Sequence, residues 1–305
     1  MDFDQLRSFV EVARLKNFSR AAGKLGLTQP AISTQIRQLE DEFGVRLFDR
    51  IGKKVFLTQP GLLLLDHAGK ILNVQKEALE ALRDLMPDPA GHLMLGATEA
   101  SCLYLLPKVF AAFKKKHPEV KITIYRNFTT KIVQKLQEDS LDLGFVSLPV
   151  DIKEIATIPL FQERVDVAMP PDHPLASQRS VTVAEIARYP WIFPRASRTR
   201  EMLDEMFRAA GTPVHVTMEL SGVETIKRFV SIGLGISLLS RSYASAEVKA
   251  GLLTLVPLAE PHLKRELGLA YRTDRYLSRS TQAFIEMARK HFGQAGKGEG
   301  KPAVT

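Results

Sequence analysis

Residues 18–58 read FSRAAGKLGLTQPAISTQIRQLEDEFGVRLFDRIGKKVFLT and decide how the chain begins to fold. Apolar residues at helical spacing over Phe3–Lys16 (Leu6, Phe9, Val10, Ala13) predict a first helix. Asn17-Phe18-Ser19 breaks it, and Ser19 is the expected N-cap of a second helix through Ala21-Ala22 to Leu25. Gly26 suits the positive φ of a helix C-cap, and Leu27 is expected to plug the core between helices. A third helix starts near Thr28-Gln29-Pro30, where proline loses no hydrogen bond. Ile32, Ile36 and Leu39, with Phe43 one turn on, form its expected buried face. Gln29, Pro30, Ser33, Thr34 and Arg37 are left on other faces. Their amide, hydroxyl, apolar and guanidinium groups suit base edges and phosphates. Ser19 and Thr28, at the starts of the second and third helices, complete this candidate DNA-facing set.

Arg50, Lys53 and Lys54 surround Gly52 between two short apolar runs, which predicts a hairpin with a basic tip suited to a phosphate or a minor groove. Helix, helix, polar-faced helix and basic hairpin together make a winged helix-turn-helix. Charge alone does not decide the matter: residues 1–58 hold 10 Lys/Arg against 7 Asp/Glu.

The string Phe9-Val10, Phe18-Ser19, Ala21-Ala22, Leu25, Thr28-Gln29-Pro30-Ala31-Ile32-Ser33, Ile36, Leu39-Glu40, Gly44, Leu47-Phe48, Arg50, Leu57-Thr58 and Gly61 closely resembles the N-terminal domain of LysR-type transcriptional regulators. The resemblance implies a DNA-binding domain over 1–58, a linker and dimerisation helix with a hinge over 59–90, and an effector-binding domain over 91–292. It implies dimers of dimers on double-stranded DNA at an interrupted palindrome near a promoter, with RNA polymerase as a further candidate partner. It places Gln29, Pro30, Ser33 and Thr34 at the major groove, and Arg50 and Lys53 at backbone or wing contacts.

The remaining composition is that of an ordinary globular protein: 305 residues, 45% hydrophobic, 25% charged, net charge +8. That length exceeds one compact core. No apolar run is long enough for a membrane span, and MDFDQL lacks the apolar region of a secretory signal, so the cytoplasm is the expected compartment. One cysteine excludes an intrachain disulfide. Residues 293–305, rich in Gly and Lys, are expected to be a disordered tail. Along 61–85, Leu64, Leu65, Ala68, Ile71, Leu72, Val74, Leu79, Leu82 and Leu85 predict a long helix that needs another surface, in a second subunit or in its own domain. Pro87-Asp88-Pro89 ends it.

From His92 on, strands and helices alternate. Strands are expected at 93–97, 120–125, 141–146, 163–169, 191–193, 214–220, 235–239 and 267–271. Helices are expected at 104–116, 129–138, 183–187, 199–210, 223–231 and 277–292. The order βαβαβ predicts an α/β fold of parallel sheets in two lobes, the plan of periplasmic solute-binding proteins. Lobe I covers about 91–162 and 267–292 and lobe II about 163–266, with crossover strands near 160–166 and 262–268. Ligands of such sheets bind at the carboxyl ends of strands. Thr98, Ser101, Cys102, Thr129, Thr130 and Ser147 follow the first three strands, and Arg195, Ser197, Arg198 and Thr199 follow 191–193. The resemblance puts the matching loops in an inter-lobe effector pocket. Helix N-termini with Arg suit a small anion such as a carboxylate, although the same hydroxyls could serve only as helix caps and Glu99 would oppose an anion unless it points outward.

No cofactor or metal is expected, because the seven histidines are scattered without ligand spacing. Two rivals remain beside the regulator. A solute-binding protein explains 92–292 but not the N-terminal motif. An enzyme lacks a nucleophile elbow, P-loop or HExxH.

Overall fold

The computed structural model describes residues 1–51, 54–83, 85, 91–259 and 262–295. The chain divides into two compact units, Met1–Leu85 and Met86–Thr305.

The N-terminal unit contains α1 (Phe3–Leu15), α2 (Phe18–Leu25), α3 (Gln29–Phe43), the hairpin β1 (Phe48–Ile51) and β2 (Lys54–Leu57), and α4 (Gln59–Arg83). Asp2 and Gln5 close a reciprocal capping box on α1. The cap of α2 is Asn17, whose side chain accepts from the Arg20 amide. Ser19, expected as that cap, lies inside the helix with its side chain exposed. Gly26 ends α2 at φ 69°, and Thr28 caps α3 by accepting from the Ala31 amide. Two expected core residues are not core: Leu27 is 41% exposed and Phe43 41% exposed. Phe9, Phe18 and Phe48 fill the centre instead, with ring centroids 5.3 and 5.8 Å apart for the two pairs that share Phe48. Glu40 is more than a surface acid. Its carboxylate accepts from the amides of Leu47 and Phe48 (2.8 and 3.3 Å) and pins the start of the hairpin to α3. Along α4, Leu64, Leu65, Ala68, Ile71 and Leu72 pack on this core, while Leu62, Leu63, Val74, Leu79, Leu82 and Leu85 stay exposed.

The second unit contains β3 (Gly91–Ala97), a π-helical turn (Ser101–Leu105), α5 (Leu106–Lys116), β4 (Val120–Arg126), α6 (Thr129–Gln137), β5 (Leu143–Leu148) and the long β6 (Ile155–Met169). There follow α7 (Val183–Ile186), β7 (Pro190–Pro194), α8 (Arg198–Ala209), β8 (His215–Leu220), α9 (Val223–Ser231), β9 (Ser237–Ser240), α10 (Arg241–Lys249), β10 (Thr254–Val256), β11 (Lys264–Arg272) and α11 (Arg279–Ala295). In lobe I, β3 pairs in parallel with β4 and with β5, as βαβ connections require. The sheet is nonetheless mixed, because β11 runs antiparallel to both β5 and β6. In lobe II, β7 and β8 are parallel, but β6 meets β9 and β10 antiparallel. The expectation of all-parallel sheets therefore fails at the crossover strands. The helix expected from Tyr104 opens earlier, with the π-helical turn. The expected strand at 163–169 is the second half of a 15-residue strand. Helix α10 and strand β10 had no counterpart in the sequence reading. Of the tail expected at 293–305, residues 293–295 instead continue α11, because its helical register carries past Phe292; the rest of the tail and the hinge at 87–90 lie outside the described residues.

Gly61 sits in the first turn of α4, where a Cβ would lie 2.1 Å from the Leu47 carbonyl oxygen. Overpacking of this kind costs about 1–3 kcal/mol. The single tryptophan, Trp191, is fully buried in the second unit and reports on that unit alone. Gly61→Ala should therefore lower the denaturant midpoint of a helical circular-dichroism transition while leaving the Trp191 fluorescence transition in place. Equal movement of both would contradict the division into two units.

Candidate nucleic-acid interface and ligand cleft

Helix α3 buries Ile32, Ile36 and Leu39 and turns Gln29, Pro30, Thr34 and Arg37 to solvent, with Ser33 half-buried beside them. Gln29 Nε2 donates to Ser33 Oγ at 2.8 Å, so two groups able to read base edges are already aligned one turn apart. Gln35 faces inward, taking a bond from the buried Ser8 hydroxyl. The N-terminal pole of α3 opens onto the same surface, which suits a phosphate. Thr28 borders it as the cap, and Ser19 is exposed on α2. Lys53 lies outside the described residues. For Arg50 and Lys54 only the backbone is described, and the pairs Arg50↔Val55 and Ile51↔Lys54 place both on the hairpin.

In the second unit the topology gathers most of the predicted ligand residues. The register Ala97↔Arg126 and the bond from the Asn127 amide to the Ala97 carbonyl set Thr98 and Ser101 beside the loop that leads to Thr129 and Thr130. Ser147 is near the same end of the sheet, on β5. In lobe II, Pro194↔Leu220 and the bond from the Arg195 amide to the Leu220 carbonyl join the 195–199 loop to the start of α9. The two regions approach each other at Gly222 and Glu99. A Cβ at Gly222, the residue before α9, would lie 3.1 Å from Glu99 Oε2 of lobe I. Glu99, whose direction the sequence left open, thus lies beside the start of α9, and it also pairs with Arg126 at 3.7 Å.

Not every predicted residue is free to meet a ligand. Ser101 is 1% exposed and shares hydrogen bonds with Thr98 Oγ1 (2.8 Å) and Tyr243. Thr98 is the member of that pair nearer the surface. Ser197 caps α8 by accepting from the Arg200 amide. Arg198 is held by Glu201 and Glu205 on its own helix, and Thr199 is buried. Arg195 is exposed and, among the described residues, has no charged partner. Helices α6 and α9 start at Phe128 and Gly222 without a side-chain cap, so their first amides remain open.

Sequence reasoning missed the polar cluster behind the cleft. Glu163 on β6 and Arg265 on β11 form a buried ion pair, with the Arg265 Nε donating at 2.9 Å. Ser240 and Ser242 both donate to the other carboxylate oxygen. Tyr243 is wholly buried beside this pair, and burial pushes its phenol up to about 12 despite the Arg265 guanidinium. No spacing in the sequence announces partners 102 residues apart. Among the described residues no His, Cys, Asp or Glu side chains cluster as a metal site, and no helix is long and apolar enough to cross a membrane.

Residues 3–62 match the model of the bacterial regulatory helix-turn-helix protein, lysR family, and residues 87–293 match that of the LysR substrate binding domain. The chain belongs to the LysR family of DNA-binding transcriptional regulators, a family of regulators and not of enzymes. The RuBisCO operon transcriptional regulator of Allochromatium vinosum is 32% identical over 283 residues, 92% of this chain and 93% of its own. A probable RuBisCO transcriptional regulator of Trichormus variabilis is 31% identical over 290 residues, covering 93% of this chain and 86% of its own. Among solved structures, a point variant of full-length OxyR from Pseudomonas aeruginosa superposes with a TM-score of 0.74 at 29% identity, covering 95% of each chain. Full-length CbnR complexed with its target DNA shares the fold, with a TM-score of 0.67 at 21% identity over 95% of this chain and 99% of its own.

The thiol of Cys102 is half-buried, and burial raises its pKa above the ordinary value. Arg126 pulls it down and Glu99 pushes it up, both by less. A raised thiol pKa means a smaller thiolate fraction at neutral pH, the opposite of what a reactive sensor cysteine needs. Labelling of Cys102 by a disulfide reagent at pH 7.5 should be slower than that of a small free thiol. Labelling as fast as the free thiol would contradict this.

Proposed function

We propose that the chain is a ligand-controlled transcription factor that reads an interrupted palindrome through α3 and takes a small anionic effector between its lobes. The observation that carries the first half is the face of α3. Gln29, Pro30, Thr34 and Arg37 are exposed together opposite a fully apolar seam, and Ser33 is already bonded to Gln29. The exposed Leu62, Leu63, Val74, Leu79 and Leu82 on α4 support pairing of two chains, and hence a two-fold site on DNA. By analogy with the family we infer a homotetramer built from such dimers, working in the cytoplasm and able to meet RNA polymerase at the promoter. The charges around these loops support an anion: open amides at α6 and α9, an exposed Arg195 without a charged partner among the described residues, and Arg126 held only loosely by Glu99. An entering carboxylate would take Arg126 and the α9 pole, and Glu99 would turn away. The names of the relatives fit regulation of carbon-fixation genes, and that is the first target class to try.

In a mobility-shift assay with the DNA upstream of its own gene, Ser33→Ala and Arg50→Ala should each weaken binding by roughly 5–100-fold, the range of one lost base or phosphate contact. Both variants should keep the same rise in melting temperature with a small carboxylate that stabilises the wild type. Failure of the wild type to shift DNA at low salt would contradict the reading, as would parallel loss of both properties.

A further inference from the structure

Lys227 is a buried ammonium that neither the DNA-reading face nor the cleft accounts for. It lies one turn into α9, 3% exposed, and it has partners on both lobes. Within lobe II it meets Glu224 (2.8 Å), Glu247 (2.7 Å) and the Tyr243 carbonyl oxygen (3.1 Å). From lobe I it takes the Tyr104 hydroxyl at 2.6 Å. The rings of Tyr104 and Tyr243 stack at 5.3 Å. Two carboxylates already neutralise the ammonium inside lobe II. The Tyr104 bond is therefore the part that can be released without stranding a buried charge.

Tyr104 belongs to the π-helical turn Ser101–Leu105. The Leu106 amide there donates to the Ser101 carbonyl, five residues back. Such turns hold one residue more than an α-helical turn and occur mostly at functional sites. Closing the bond in the α register would rotate the residues beyond it by about 100° and swing Tyr104 away from Lys227. An α register would give the turn a second discrete arrangement, which a coupling device requires. Helix α9 touches both ends of this arrangement. Its start, Gly222, abuts Glu99 at the cleft, and Lys227 grips the turn that carries Ser101 and Cys102 behind Thr98.

We propose that Lys227 is a positioning residue that ties lobe II to this turn, holds it in the π register and releases it when a ligand shifts α9. The proposal rests on the cleft being the ligand site, but its test needs neither ligand nor DNA. In the full-length protein, hydrogen exchange of the amides of residues 102–106 should quicken at least tenfold in Tyr104→Phe, which keeps the ring, and in Lys227→Met. Exchange in β3 and β5 should be unchanged. The double variant should be no faster at 102–106 than Lys227→Met alone, because the contact that Tyr104→Phe breaks is already gone in Lys227→Met. A merely structural role for Lys227 would instead speed exchange across lobe I and add in the double variant. Either result, or an unchanged turn in Tyr104→Phe, would overturn the proposal. If Lys227→Met does not fold, Tyr104→Phe decides alone. Loss of DNA or ligand binding in other experiments would leave this outcome untouched.

Discussion

The antiparallel ribbon of β6 and β11 is the constraint on which the second unit depends. It runs from Lys264↔Arg164 to Arg272↔Ile155, with one shift in register at Leu267/Gly268. Strand β6 joins the two sets of strands: β5 lies on the far side of β11, while β9 and β10 flank the other half of β6. A continuous ribbon fixes which loops can face each other. β3, β4 and β5 run parallel, so their carboxyl ends share one side, as do those of β7 and β8, and the proposed ligand site draws on both sets. The Glu163–Arg265 pair lies within the ribbon and is satisfied by Ser240, Ser242 and Tyr243. Such a pair adds little net stability, but removing one partner costs about 3–5 kcal/mol, so it specifies the crossing as much as it strengthens it.

The N-terminal unit follows the same logic on a smaller scale. Its core is three aromatic rings and the apolar seams of four helices. Glu40 turns a helix and a hairpin into one rigid body, since two hairpin amides end on a single carboxylate. The exposed polar side chains of α3 therefore sit on a frame whose position is set by packing and not by their own contacts.

Much of this was legible in the sequence, and what was not has physical causes. The three N-terminal helices, Gly26 at positive φ and Thr28 as a cap were readable because they are local. Asn17 and Ser19 are both good caps two residues apart, and local chemistry does not choose between them; packing of Phe18 does, by starting the helix there. Leu27 and Phe43 fit apolar periodicity and yet remain exposed, because periodicity gives a face and not what covers it. The first half of β6 contains Pro159, which argues against a central strand. Pro159 is tolerated opposite Gly268, where the register shifts. The hydroxyls after strands were named from their position alone. Burial then separated Thr98 from Ser101 and Arg195 from Arg198, and no sequence pattern encodes that. Lys227 and Tyr104, 123 residues apart, meet only through the packing of α9 on the turn.

The central claim is that residues from opposite lobes form one ligand site. Calorimetric titration of the full-length chain with a panel of small mono- and dicarboxylates tests it most directly. The account predicts one site per chain for the best ligand, weakened at least tenfold both by Thr98→Val in lobe I and by Arg195→Ala in lobe II. Binding that ignores either substitution, or no binding by any member of the panel, would contradict it.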